Sequence, residues 1–158
     1  MTALAYATPA VVPAHTPRVE VRSLVLGTLQ AHPDHLFTFP AGLTGLPEQR
    51  QWVLVQAGRP GFWWLQSVDE AGLAFLLADP FPAFPEYEVN LGAGDLSVLG
   101  AASPRDVVVL AIVTLPGRPG APCVANLQGP IALDLRTRRG KQVVIADSPF
   151  GTRCEMPD

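Results

Sequence analysis

Lysine is nearly absent from this chain. Lys141 is the only one, and Lys plus Arg number 11 against 14 Asp plus Glu, a formal net charge of -3. A protein that grips RNA or DNA must neutralise several phosphates at once, so direct nucleic-acid binding is not expected. Charge of either sign is scarce, at 16% of residues against the roughly 25% usual in globular domains. No apolar run reaches the roughly 18 residues that span a bilayer. Pro9 and Pro13 break the weakly apolar start before it could act as a signal peptide's apolar region. A cytoplasmic location without membrane contact is therefore expected. Cys123 and Cys154, the only cysteines, stand far apart and outside any CxxC context, which reads as two reduced thiols rather than a disulfide framework or a zinc site.

What the chain does have is apolar material and turn formers. Apolar residues make up 48% of its 158 residues, enough for one packed domain, and 14 Gly with 17 Pro imply many turns and few long helices. Residues 1–17, rich in Ala, Thr and Pro and without period, read as a flexible N-terminal extension, and residues 18–158 as the domain. From Val19 onward, short apolar or alternating runs are separated by Gly, Pro and Asp. They predict strands at Val19–Ser23, Leu36–Phe39, Trp52–Gln56, Phe62–Ser67, Leu73–Ala78, Tyr87–Asn90, Val107–Thr114, Ile131–Leu135 and Gln142–Ile145. The unbroken run Val107–Val113 predicts a central strand covered on both faces. Asp95–Gly100 predicts one short helical turn, and Ser103-Pro104-Arg105-Asp106 a capped turn into the next strand. The fold class is all-β, a small antiparallel β-barrel-like single domain with one short helical turn.

Residues suited to chemistry are few. His32-Pro33-Asp34-His35 is the only cluster of metal-type ligands. Its proline and polarity fit an exposed turn, and no further ligands stand out, so no metal and no cofactor are expected. No serine lies in a G-x-S-x-G elbow, Cys123 has no base nearby in sequence, and no glycine loop leads into a helix with a lysine. Acidic pairs such as Asp69-Glu70 and Glu86 with Glu88 read as solvated strand ends. The chain is not expected to be an enzyme. A different class remains open: a small barrel that binds an apolar ligand or carries a carboxylate-based hydrolytic site.

The aromatic residues carry more information. Phe62-Trp63-Trp64 and Phe81-Pro82-Ala83-Phe84-Pro85-Glu86-Tyr87 concentrate rings near strand ends and in a proline-fixed segment. On an alternating strand Trp63 and Trp64 point to opposite faces, so one is at least partly exposed unless both faces are covered. Exposed rings of this kind anchor protein interfaces.

Read in order, Phe39-Pro40-Ala41-Gly42-Leu43-Thr44-Gly45, Phe62 to Asp69, Leu73-Ala74-Phe75 and Asp79-Pro80-Phe81 resemble the flagellar assembly factor FliW family. Phe84-Pro85-Glu86-Tyr87, Leu110 to Thr114, Asn126-Leu127 with Pro130-Ile131, and Gly140 to Val143 follow in the family's order. The resemblance covers residues 19–153. The chain departs from it in the N-terminal extension, in Asp134 where Asn is common, and in the tail Cys154-Glu155-Met156 where a basic, His-containing end is usual. The resemblance implies a barrel-like protein that binds flagellin and, alternatively, the RNA-binding regulator CsrA, releasing one partner on binding the other. Trp63, Trp64, Phe81, Phe84 and Tyr87 are then the candidate apolar contacts for an amphipathic flagellin segment. Asp69, Glu70, Glu86 and Glu88 are the candidate acidic contacts for CsrA. A monomer is expected.

Overall fold

A computed structural model describes residues 18–157 of the chain; the expected N-terminal extension over 1–17 lies outside the described residues. The described residues form ten strands: β1 (Val19–Ser23), β2 (Gly27–Ala31), β3 (Leu36–Thr38), β4 (Gln51–Gln56), β5 (Phe62–Ser67), β6 (Ala74–Ala78), β7 (Val107–Thr114), β8 (Val124–Asp134), β9 (Arg139–Gln142) and β10 (Cys154–Glu155). Among the described residues one α-helix, α1 (Ala93–Leu99), joins them, with single 3-10 turns at Pro33–His35 and Pro104–Asp106. The ladder runs β8-β7-β6-β5-β4-β3-β9 and returns to β8, so seven strands close a barrel, with β10 added along β8. Every neighbour pair in the ring is antiparallel except β3 with β9.

Alternation along the strands sorts side chains into an inside and an outside. Inside lie Phe37, Trp52, Leu54, Leu65, Leu77, Leu110 and Ile131, all at 4% exposure or less. Each of these large side chains contributes about 2 kcal/mol by leaving water, and together they fill the barrel axis. The indole of Trp52 donates to the Gln49 carbonyl at 2.8 Å, so its one polar atom is satisfied at the barrel end. The outside is covered in three places. The β1–β2 hairpin lies over Val53 and Val55, α1 packs Leu96 and Leu99 against Val107, Ala132 and Val143, and an aromatic segment covers β6, β7 and β8. Cover on both faces is why the run Val107–Val113 has no polar alternation, as its sequence predicts.

Several boundaries differ from the sequence expectation. Tyr87–Asn90 alternates like a strand but lies outside any ladder, because it runs across the barrel's outer face. Of the expected strand Ile131–Leu135, residues Ile131–Asp134 are the last part of a strand of 11 residues that begins at Val124, and Leu135 already lies in the following turn. Residues 127–130 form a large bulge in β8: the register passes from Leu110 opposite Ile131 to Ile112 opposite Asn126. Pro130, which has no N–H, is accommodated at that bulge. Beyond β9, Val143 and Ile145 donate to Pro130 and Gln128 at 2.8 and 2.9 Å, so the predicted strand Gln142–Ile145 follows the bulge rather than continuing the ladder. α1 ends at Gly100, in the left-handed region, and Ser103 caps the turn before β7, both as expected.

Candidate functional site

Small side chains on the outer face of β6, β7 and β8, namely Ala78, Ala111 and Ala125, leave a shallow floor beside Leu76, Val113 and Leu127. Two segments lie on it. The first is Pro80–Tyr87, which folds by its own turn chemistry: Asp79 Oδ1 accepts the Phe81 N–H at 3.1 Å, and Phe84 and Tyr87 donate backbone N–H groups to Pro80 and Phe84 at 2.9 and 3.0 Å. The second is the tail from Ser148 to Met156, held by β10 and by the Leu127 N–H bonding Gly151 at 3.1 Å. The rings interlock. Tyr87 meets Phe81 at 5.7 Å and Phe150 at 5.5 Å between centroids, and Phe84 meets Phe150 edge-on at 6.0 Å.

This arrangement corrects the expected apolar surface. Trp63 is 7% exposed and belongs to the barrel interior with Trp52, because its register on β5 points inward. Tyr87 is 3% exposed and points onto the floor, where burial pushes its hydroxyl above the ordinary tyrosine value. Neither is open to a partner. Trp64, Phe81 and Phe84 stay half-buried on the outside. Beside them runs an open groove of about 240 Å³, lined by Phe62, Ala78, Pro82, Ala83, Cys123 and Met156, with the Arg59 guanidinium 5.0 Å above the Phe62 ring. Sequence reasoning left Phe150, Cys154 and Met156 out of the site. A lone ring in the polar stretch Ser148-Pro149-Phe150-Gly151 is the signal that marks the tail as docked.

The four acidic candidates are exposed but do not form one patch. Asp69 and Glu70 sit in the turn entering β6, whereas Glu86 and Glu88 flank Tyr87 beyond its far end. The first pair stands in the turn between β5 and β6, whereas the second belongs to the segment that crosses the outer face of the barrel, so the two pairs lie on different elements. Cys123 and Cys154 are free thiols. His32 uses its Nδ1 to accept the Asp34 N–H at 3.0 Å and so caps a turn; among the described residues no group of three or more His, Cys, Asp or Glu could hold a metal ion. No helix is long and apolar enough to cross a membrane among the described residues.

The fold and the groove define a small closed β-barrel with a packed interior, whose recessed apolar surface is on its outside. The sequence model of the FliW protein family matches residues 20–156. The chain is 32% identical over 138 residues to a flagellar assembly factor FliW of Treponema denticola, covering 87% of this chain and 93% of the relative. It is 35% identical over 130 residues to that of Geobacillus kaustophilus, covering 82% and 90%. A crystal structure of the flagellar assembly factor FliW superimposes with a TM-score of 0.79 at 31% identity, covering 89% of this chain and 98% of the other. The chain belongs to the FliW family of flagellar assembly factors.

Proposed function

We propose that this chain is a cytoplasmic, monomeric binding protein that holds flagellin and, alternatively, CsrA, and that by exchanging one for the other it relieves CsrA repression of flagellin translation. The observation that carries the reading is family membership across residues 20–156. The outer groove supplies a physical seat for flagellin. Pro80, Pro82 and Pro85 fix the segment that carries Phe81 and Phe84, so little ordering is required when an amphipathic flagellin segment arrives. The net charge of -3 favours approach to a basic RNA-binding regulator. Asp69, Glu70, Glu86 and Glu88 remain the acidic contacts in this reading, now as two separate pairs. Such a switch needs two competing affinities and no catalysis, with each tenfold difference in a constant equal to about 1.4 kcal/mol. The competing idea of a barrel enclosing an apolar ligand gains no support from an axis filled by Phe37, Trp52 and their neighbours.

The test is calorimetric titration of the protein with its own flagellin, held monomeric, and with the CsrA of the same organism, followed by competition. Binding of each, with exclusion of one by the other, is the expected result. A ternary complex, or no binding to either, overturns the partner exchange.

A further inference from the structure

The tip of the β1–β2 hairpin combines two features that ordinary turns lack. Its three residues, Leu24, Val25 and Leu26, are all aliphatic, where turn chemistry favours Gly, Asn or Asp. Leu24 is 81% and Val25 54% exposed, so these side chains do not serve the core. The backbone beneath them is fixed. Ser23 Oγ accepts the N–H of Val25 at 3.2 Å and of Leu26 at 2.9 Å, and the Leu24 N–H donates to the Ala71 carbonyl at 2.9 Å.

That last bond joins the tip to the acidic turn between β5 and β6. The turn is held from below: buried Gln66 donates through Nε2 to the carbonyls of Glu70 and Ala71 at 3.1 and 3.3 Å, and Ser67 Oγ accepts from Asp69 and Glu70 at 3.2 and 3.0 Å. Two rigid turns therefore present a pair of aliphatic side chains beside two exposed carboxylates. The adjacent cation Arg22 is 3.9 Å from Glu20 and leaves the local balance acidic.

We propose that Leu24 and Val25 with Asp69 and Glu70 form a docking surface for a basic protein, one with an aliphatic slot rimmed by Lys and Arg. Charge complementarity selects that partner over a second copy of this chain, whose overall charge is also negative. Pre-fixed turns lower the ordering cost of binding, and two protruding aliphatic groups supply the anchor. The inference rests on the partner-exchange reading, in which the basic partner is CsrA; it keeps only Asp69 and Glu70 of the four acidic candidates and assigns that partner a surface separate from the groove, so that exclusion of one partner by the other works through coupling across the barrel and not through a shared seat.

The experiment measures binding of the same organism's CsrA, at low and high salt, to the wild type, to the double variant Leu24→Ser with Val25→Ser, and to Asp69→Lys with Glu70→Lys. These side chains are exposed, and circular dichroism checks that each variant folds. The expected result is a loss of about tenfold or more for the aliphatic pair, and slower association with a flatter salt dependence for the charge reversal. Wild-type affinity in both variants overturns this surface while leaving partner exchange intact. No binding by the wild type overturns both. A dimer seen by sedimentation and abolished by the Leu24 and Val25 substitutions overturns the basic partner in favour of a second copy.

Discussion

The hydroxyl of Tyr87 donates to the carbonyl of Leu127 at 2.7 Å, across 40 residues of sequence, and both groups are buried. Leu127 lies in the β8 bulge, where ladder pairing is interrupted, so the bond satisfies a carbonyl that the sheet leaves over. Tyr87→Phe keeps the ring between Phe81 and Phe150 and removes only this bond. The expected cost is about 1 kcal/mol, read as a lower urea midpoint with an unchanged slope. Because the hydroxyl faces the floor and not the groove, flagellin affinity should stay within about twofold of wild type, less than about 0.5 kcal/mol.

Gly140 is buried on β9, and a methyl group added there would land on the ring of Phe39, which is itself completely buried. The ring sits edge-on to Trp52 at 6.3 Å and cannot swing away without disturbing the barrel axis. Gly140→Ala is therefore an overpacking substitution, with an expected cost of about 3 kcal/mol, visible as a large drop in melting temperature. Gly151 provides the control: it is exposed with open space around its Cα, and Gly151→Ala should leave stability almost unchanged.

Much of the fold was legible because burial decides it. β1, β5 and β7 fall where their apolar patterns place them, and Gly100 and Ser103 end and cap the turns they are chemically suited to. β2 carries Gly-Thr-Leu-Gln-Ala, a weak pattern that becomes a strand only because β1 is beside it. β10 is two residues long and exists through the edge of β8. The site was less legible for the same reason. Rings at 63 and 87 look alike in sequence to rings at 64 and 84, and only closure of the barrel and the docked tail decide which are covered.

Ala83 lines the groove and is half-buried, with its side chain at the rim and not in the barrel. Ala83→Arg places a long charged side chain across the proposed flagellin seat without touching the interior. Flagellin binding should weaken by about tenfold or more, roughly 1.4 kcal/mol, in calorimetric titration, while the thermal midpoint hardly moves. CsrA binding in the absence of flagellin should be retained if the hairpin tip is its docking surface. Unchanged flagellin affinity would remove the groove from the site.

Acid should destabilise the protein in two separate windows. His35 has its pKa lowered from 6.5, first by burial and then by the positive charges of His32 and Arg138. The unfolded chain therefore takes up a proton before the folded one, and stability falls as the pH drops below about 6.5 toward the folded value. Asp95 is also lowered, with the same sign in a more acidic window: burial alone would raise it, but the hydrogen bonds from Lys141 and the Gly92 N–H, with the Lys141 charge, hold it below 3.8. Its contribution is complete above 3.8 and is lost only as the pH falls through the lower folded value. Urea unfolding followed from neutral pH to strong acid should show both losses. His35→Asn should remove the first and keep the second, whereas Asp95→Asn should lower stability at neutral pH and flatten only the more acidic limb. A neutral-pH curve for Asp95→Asn identical to wild type would mean that the Lys141 contact, which ties α1 to β9, contributes nothing to the fold.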